Sequence, residues 1–219
     1  MPGRGFLFKG GLCDGAGTTP EPERPCLLDG DVMPSVGPNS SGTITSDAAY
    51  GTFAWSNPSN AATSNNTRTV ASAGDIGTTR YLKCLNFGFT IPVGAVITGI
   101  GVSIERSADN ASVVSDNRVR LVKSGAVQTT DKASATLWLL SDVVATYGGE
   151  GDVWSGSWTA EDINAADFGV VISVGSTLEG GGNVSIDHVT MTIHYTPGAS
   201  SKGRVGGGSV CRKRVCSRV

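Results

Sequence analysis

Residues 85–104 read LNFGFTIPVGAVITGIGVSI and contain no charged side chain. A stretch of this length is long enough to cross a bilayer as a helix. It contains Pro92 and four glycines, however, and its apolar residues alternate with other residues instead of recurring at helical spacing. Two buried strands joined by a turn at residues 91–94 explain the pattern better. This stretch therefore predicts a β protein without a membrane span.

The alternation of apolar and polar residues continues along the chain, as expected of half-buried strands. It is strongest in residues 81–89, 100–104, 118–121, 168–174 and 189–195. In the first of these segments the pattern places Tyr81, Lys83, Leu85, Phe87 and Phe89 on the core face. Val184 and Ile186 are in the opposite phase to the last segment, which predicts either a bulge near His188 or a strand buried on both faces.

Shorter strands are expected near residues 53–55, 68–72, 127–129, 135–140 and 143–147. One helix signal is present, because Thr159 is a good N-cap residue and Glu161 and Asp162 follow it in the first turn. Many short strands separated by Gly, Asn and Ser predict an all-β fold, an antiparallel jelly-roll-like β-sandwich.

Composition divides the chain into three regions. Residues 1–42 contain six of the nine prolines and carry a net charge of −2, and residues 43–197 carry −6. Residues 198–219 contain six basic residues and no acidic one. We therefore expect an extended Gly/Pro-rich arm, the sandwich and a basic tail in this order. Neither end has enough apolar residues to bury a core, so each is expected to lie on a neighbouring subunit or along its own sandwich.

Few residues suit catalysis. The chain has only two histidines, His188 and His194, and 16% charged residues. No nucleophile motif accompanies the histidines, and the helix dipole explains Glu161 and Asp162 at a helix start. The sequence therefore predicts a protein that is not an enzyme and has neither a cofactor nor a catalytic metal.

Two motifs resemble a known group of domains. Residues 87–100, FGFTIPVGAVITGI, and residues 158–170, WTAEDINAADFGV, are similar to segments of β-sandwich domains in bacteriophage virion proteins. Residues 186–195 are similar to the final strand of those domains. The resemblance covers roughly residues 50–196 and implies the jelly-roll fold. It also implies a virion protein, such as a capsid decoration protein, a head fibre or a tail protein, and it transfers no catalytic residue.

The five cysteines leave at least one thiol without a partner in the same chain. Cys13 and Cys26 lie in the arm, and Cys211 and Cys216 lie in the tail, so a disulfide in each would staple a segment that has no core. Links between chains and free thiols are the alternatives, and the spacings do not match a structural zinc site. Cys84 is expected to be a small buried residue of a strand.

The tail contains Arg212, Lys213 and Arg214 between its two cysteines. Such a run can bind phosphates. No aromatic residue is interleaved with it, so the bases of a nucleic acid have no stacking platform. We therefore predict that these three residues, with Cys211 and Cys216, contact an acidic surface of a neighbouring subunit, and nucleic acid is the less favoured partner.

Two loops are candidates for ligand binding. Trp154 and Trp158 flank a short Ser-Gly-Ser segment near Glu150 and Asp152, and an aromatic residue near carboxylates suits a sugar. The favoured interpretation is that both tryptophans fill the core of the sandwich or cap its ends. Asp109-Asn110 and Asp116-Asn117 supply oxygen atoms suited to calcium, but these residues are also common in turns, and turns are the favoured interpretation.

Together these observations predict a phage virion structural protein located in the virion. We expect a capsid decoration or cement protein whose partners are other copies of itself, in a trimer for example, and a major capsid protein or other virion protein. The alternative is a glycan- or receptor-binding module of a tail or fibre. A secreted bacterial carbohydrate-binding domain is a third option, disfavoured unless this chain is a processed fragment, because residues 1–9 contain too short an apolar run for a signal peptide.

Overall fold

The structure is a computed structural model that describes residues 34–72, 76–110, 113–176 and 182–198. Within these residues the chain forms eleven strands, one α-helix and a 3-10 helix at Pro58–Ala61. The helix α1 is Ala160–Asn164. The strands are β1 (Ser35–Ser40), β2 (Thr43–Asp47), β3 (Thr69–Ser72), β4 (Gly77–Thr78), β5 (Tyr81–Leu85), β6 (Val96–Ala108), β7 (Val114–Lys123), β8 (Ala126–Val127), β9 (Val143–Gly149), β10 (Gly169–Ser176) and β11 (Asn183–Thr196).

The strands form two sheets. The five-stranded sheet has the order β1-β11-β6-β9, with β3 also paired to β11, and the six-stranded sheet has the order β2-β5-β10-β7-β8, with β4 also paired to β10. All ladders between these strands are antiparallel. The predicted fold class, an antiparallel jelly-roll-like β-sandwich, is confirmed.

One main core fills the space between the sheets. Its largest fully buried side chains include Leu82, Ile100, Ile104, Phe168 and Ile172. A second, smaller cluster lies on the other side of the six-stranded sheet and consists of Tyr81, Val122 and Val171, with Tyr50, Leu85 and Val127 packed against it. Because both faces of β10 are covered, seven of its eight residues are buried, which explains its continuous apolar sequence.

The predicted core face of the first strand is wrong at its beginning. Leu82 and Cys84 of β5 are fully buried in the main core, whereas Tyr81 and Leu85 belong to the second cluster. Phe87 lies in the main core as predicted, but β5 has already ended at Leu85. The backbone of Asn86 has φ 57°, and this left-handed residue breaks the alternation of faces.

Of the other local predictions, the bulge in β11 and the cap of α1 are confirmed, and one short strand is wrong. A register shift between Ile186 and His188 confirms the predicted bulge in β11, and the Thr159 side chain caps α1 as predicted. The strand expected at residues 135–140 does not form; the segment is a loop, in which the backbone N–H of Trp138 donates to the Val114 carbonyl at 3.0 Å. No helix in the described segments combines the length and the apolarity needed to cross a membrane.

The first strand begins earlier than the predicted boundary of the sandwich. β1 lies within residues 1–42, which were assigned to the arm, and it pairs with β11 from Ser35 to Ser40. The division into arm, sandwich and tail otherwise stays a prediction, because residues 1–33 and 199–219 lie outside the described residues.

Candidate functional site

A small pocket opens beside the loop that joins β9 to α1. Trp154 and Trp158 form part of its wall, and Gln128, Thr129, Thr130 and Ser155 place an amide and three hydroxyl groups around it. Its volume is about 60 Å³, the space of about two water molecules. The tryptophans were predicted from the sequence, whereas the three residues that follow β8 were not, because their proximity depends on the packing of two distant loops.

Backbone strain marks the loop at the pocket. Trp154 and Ser155 are consecutive non-glycine residues with φ near +53° and +54°, a conformation that costs L-residues free energy. The carboxylate of Asp152 accepts the backbone N–H of Trp154 at 2.9 Å, and the Gly156 N–H donates to the Val153 carbonyl at 2.9 Å. These bonds hold the strained turn, and strain of this kind clusters at binding sites.

The two indoles are core residues. Trp154 is 2% exposed and Trp158 is 9% exposed. The Trp154 Nε1–H donates to the Ile100 carbonyl, and the Trp158 Nε1–H donates to the Val153 carbonyl, both at 2.9 Å. Trp158 also meets Phe168 edge to face, with ring centroids 5.5 Å apart. The pocket therefore contacts only small parts of the rings, and both indole N–H groups already have protein acceptors.

A lysine covers each indole. Lys132 Nζ lies 5.2 Å from the Trp154 ring centroid and 2.6 Å from the Asp152 carboxylate. Lys123 Nζ lies 5.4 Å from the Trp158 ring and 2.7 Å from the carboxylate of Asp162. The two ammonium groups beside the pocket are thus neutralised by neighbouring carboxylates.

These ion pairs change the acidity of the carboxyls. The pKa of Asp152 is lowered by the hydrogen bond from Lys132, against the effect of burial, and by the Trp154 N–H. For Asp162, burial raises the pKa, but Lys123 and the backbone N–H of Thr159 together lower it below its ordinary value. Both carboxylates therefore stay ionised near neutral pH.

A buried polar network was missed by the sequence analysis. Asp116 is paired with Arg106, and its carboxylate accepts hydrogen bonds from Tyr147 Oη at 2.7 Å and Trp138 Nε1 at 2.8 Å. Burial, followed by the charge of Asp116, raises the pKa of Tyr147. The signal in the sequence was a charged residue at an inward position of two strands, β6 and β7, which is unusual unless the charges are paired. This network joins the two sheets and does not line the pocket.

The remaining predicted sites are the cysteines and the basic residues of the tail. Cys13, Cys26, Cys211, Cys216 and the basic residues Arg212, Lys213 and Arg214 lie outside the described residues, so these predictions stay predictions. Cys84 is a fully buried free cysteine, and burial strongly raises the pKa of its thiol. Its predicted position as a small buried residue is confirmed.

The structure does not bring the other candidate residues together. Asp116 belongs to the buried network, whereas Asp109 accepts the backbone N–H of Asn183 at 2.6 Å. No three His, Cys, Asp or Glu side chains within the described ranges are close enough to hold a metal ion. His188 Nε2 lies 2.8 Å from Ser40 Oγ, away from the pocket-lining residues.

Comparisons with known proteins give distant structural neighbours. No family model and no curated protein matches the chain. The second N-terminal cellulose-binding domain of Cellulomonas fimi β-1,4-glucanase C is 16% identical, with 74% of this chain and 100% of that chain covered and a TM-score of 0.37. The CBM22-1 xylan-binding domain of Paenibacillus barcinonensis Xyn10C is 10% identical, with 77% and 97% covered and a TM-score of 0.34. At these values nothing about this chain's ligand follows from either match.

Proposed function

We propose that the chain is a non-catalytic binding module whose pocket beside Trp154 and Trp158 takes part of a sugar. The observation that carries this proposal is the lining of the pocket. The small exposed parts of the two indoles provide a little apolar surface for a C–H group of a sugar, and the side chains of Gln128, Thr129 and Thr130 provide neutral donors and acceptors for its hydroxyl groups.

The charge around the pocket favours a neutral sugar. Lys123 and Lys132 are the basic residues over the two indoles, and each is already paired with a carboxylate at 2.7 and 2.6 Å. An acidic sugar would have to compete with Asp162 or Asp152 for these cations. A neutral sugar would leave both ion pairs intact.

The size of the pocket limits what enters it. A volume of about 60 Å³ is well below the several hundred Å³ of typical ligand pockets. We therefore expect one edge or one hydroxymethyl group of a sugar to enter, while the rest of the ring lies against the rim at Thr129 and Ser155. A site with so little buried ligand surface is expected to bind weakly as a single copy.

Affinity electrophoresis of the full chain in gels containing cellulose derivatives, xylan, mannan or mixed-linkage glucan tests this proposal. We expect at least one neutral polysaccharide to retard the chain, and Gln128→Ala or Thr130→Val to reduce the retardation about tenfold, the cost of one or two lost hydrogen bonds. Thr90→Val, at an exposed threonine outside the pocket, is the matched control. The proposal fails if no polysaccharide retards the wild-type chain, or if the pocket variants and the control behave alike.

Alanine at either tryptophan is a poor test, because both indoles are buried and the variant is expected to lose several kcal/mol of stability. Variants at the rim avoid this problem. The hydroxyl groups of Thr129 and Thr130 can be removed while their shape is nearly kept, and the thermal unfolding temperature of each variant shows whether the fold survives.

A second candidate function is that of a virion structural protein, in which the chain decorates a capsid. The resemblance of residues 87–100 and 158–170 to phage virion domains supports it, as does an exposed apolar segment at residues 137–144. In this proposal the tail residues Arg212, Lys213 and Arg214 contact a neighbouring subunit. Light scattering of the full chain and of a chain lacking residues 198–219 tests it, since loss of a defined oligomer on deletion is expected and identical masses would contradict a contact through the tail.

A further inference from the structure

Exposed apolar side chains are concentrated in one segment of the protein. Of the eight large apolar residues that are exposed in the described parts of the chain, five lie between residues 137 and 144. They are Leu137, Leu139, Leu140, Val143 and Val144. Leu140 is 66% exposed and Val144 is 62% exposed. Such a concentration of exposed apolar residues is more typical of an interaction site than exposed apolar residues that occur singly. We refer to residues 137–144 as the apolar segment.

The apolar segment runs into β9, which is the terminal strand of the five-stranded sheet. Among the described strands β9 is paired with β6, from Val143 to Gly149, and the ladder has no register shift. A terminal strand presents a row of backbone N–H and C=O groups that is not used by the sheet. The sequence of β9, VVATYGG, contains no lysine, proline or charge, the residues that usually prevent such an edge from pairing.

We propose that β9 pairs with β9 of a second copy of this chain. The two strands would lie antiparallel across a two-fold axis, so that two five-stranded sheets continue into one another. The apolar segments, which lead into the two β9 strands, would then lie beside the contact. This inference goes beyond the proposed sugar-binding function and does not depend on it.

Charge supports a second copy as the occupant. A two-fold axis places a surface against its own copy, so any net charge on it would face the same charge. Asp142 is the one charged residue between Leu137 and Gly149. Its carboxylate is paired with Arg68 and accepts the Ser107 hydroxyl at 2.8 Å. The apolar segment and β9 therefore bring no unpaired charge of their own to the contact.

The positions where the described chain begins and ends also favour a second copy. The carbonyl of Pro34, at the beginning, accepts the backbone N–H of Tyr195 at 3.1 Å, near the end of β11. β1 is at the other end of the strand order from β9, and β11 is separated from β9 by β6. Neither end of the described chain therefore lies on β9 or on β6, the strand beside it.

Light scattering of the full chain over about a hundredfold range of concentration tests the proposal, because dimerisation depends on concentration. The expected mass rises from 22.4 kDa toward twice that value. Val144→Lys places like charges against each other at the contact, and we expect it to raise the dimer dissociation constant at least about tenfold. Val93→Lys is the matched control, because Val93 is 84% exposed and lies in the turn before β6. At each concentration, Val93→Lys is expected to have the same mass as the wild type.

Hydrogen exchange provides a second measurement. The amides of residues 143–149 are expected to exchange more slowly as the wild-type concentration rises, and this change is expected to be absent in Val144→Lys. A wild-type mass of 22.4 kDa at every concentration would overturn the proposal, as would an oligomer that Val144→Lys does not weaken. Retardation by polysaccharides is expected to survive Val144→Lys, so failure of the dimer and failure of sugar binding are separate results.

Discussion

The side-chain amide of Asn164 forms two hydrogen bonds with the backbone of Ile91. Its Nδ2 donates to the Ile91 carbonyl at 2.9 Å, and its Oδ1 accepts the Ile91 N–H at 2.7 Å. The two residues are 73 positions apart in the chain. Phe89 is two residues before Ile91, and Phe168 is four residues after Asn164. The ring centroids of these two phenylalanines lie 6.3 Å apart. The two motifs that resemble phage virion domains therefore form one packed unit, and their residue types are explained by the fold.

Asn164→Ala is expected to lower the free energy of unfolding by about 2–4 kcal/mol, because two polar groups of the buried Ile91 backbone lose their partners. Urea denaturation followed by tryptophan fluorescence measures this loss. Asn164→Asp is the matched variant, since a carboxylate accepts the Ile91 N–H but has no donor for its carbonyl. An alanine variant as stable as the wild type would contradict the importance of this contact.

The Arg106–Asp116 pair is expected to be costly to break. Asp116→Ala leaves the guanidinium of Arg106 buried without its carboxylate and removes acceptors from Tyr147 and Trp138, so we expect a loss of about 3–5 kcal/mol. Arg106→Met combined with Asp116→Leu removes both charges and is expected to be less destabilised than Asp116→Ala alone. Chemical denaturation of the wild type, Asp116→Ala and the double variant measures the free energy of unfolding of each. Equal losses of stability in the two variants would contradict a charge-based explanation.

Gly148 is expected to be irreplaceable for a steric reason. A Cβ at this position would lie 2.3 Å from the Ile100 carbonyl oxygen and 2.4 Å from Trp154 Nε1, and its φ is +67°. Gly148→Ala is therefore expected to cost more than about 3 kcal/mol and to displace Trp154 from the pocket wall. Gly94→Ala is the control, because φ is +80° but, among the described residues other than its two chain neighbours, no atom lies within 4 Å of the added Cβ. It isolates the strain of an L-residue at positive φ, about 1–2 kcal/mol. Thermal unfolding that ranks the two equally would contradict the steric explanation.

The Asp152 carboxyl is expected to make stability depend on acid pH. Its pKa in the folded protein lies below the ordinary 3.8, chiefly through the hydrogen bond from Lys132. A lowered pKa stabilises the fold above the unfolded-state value, and this contribution disappears as the pH falls through the folded-state pKa. Because the carboxylate side chain is 35% exposed, Asp152→Asn is expected to cost less than about 1 kcal/mol at pH 7. Denaturation curves should show this difference shrinking toward zero below pH 3.8, and a growing difference would contradict it.

Cys84 is expected to be unreactive in the folded protein. Its side chain is fully buried in β5, and burial raises the pKa of the thiol far above neutrality, so little thiolate forms and reagents have no access. Mass spectrometry after treatment with iodoacetamide at pH 8 should find Cys84 unmodified in native protein and modified in guanidinium chloride. Modification of Cys84 in the native protein would contradict its buried position.

Much of the fold was predictable because the signals are local. Alternation located most strands, and Thr159 with Asp162 located the start of α1, whose capping box the structure contains. The face of β5 was not predictable, because Tyr81 and Leu85 face a second cluster made by Tyr50, Val122 and Val171, all distant in sequence. A pattern of apolar residues shows that a side chain is buried and does not show against which element it packs.

The pocket, like the fold, was predictable from the sequence only in part. Trp154 and Trp158 were visible as a pair from their spacing, yet their burial, their acceptors at Ile100 and Val153, and the approach of Gln128 depend on the packing of separate loops. The apolar segment at residues 137–144 is also a property of the tertiary structure. Its leucines and valines have the same chemistry as core residues, and they are exposed because the loop before β9 and the start of this terminal strand have no described element packed over them. The sequence by itself determined an antiparallel sandwich, because side-chain periodicity is a local property of the backbone. The tertiary structure decided which apolar groups meet one another and which remain available to a partner, since that depends on contacts between residues far apart in the chain.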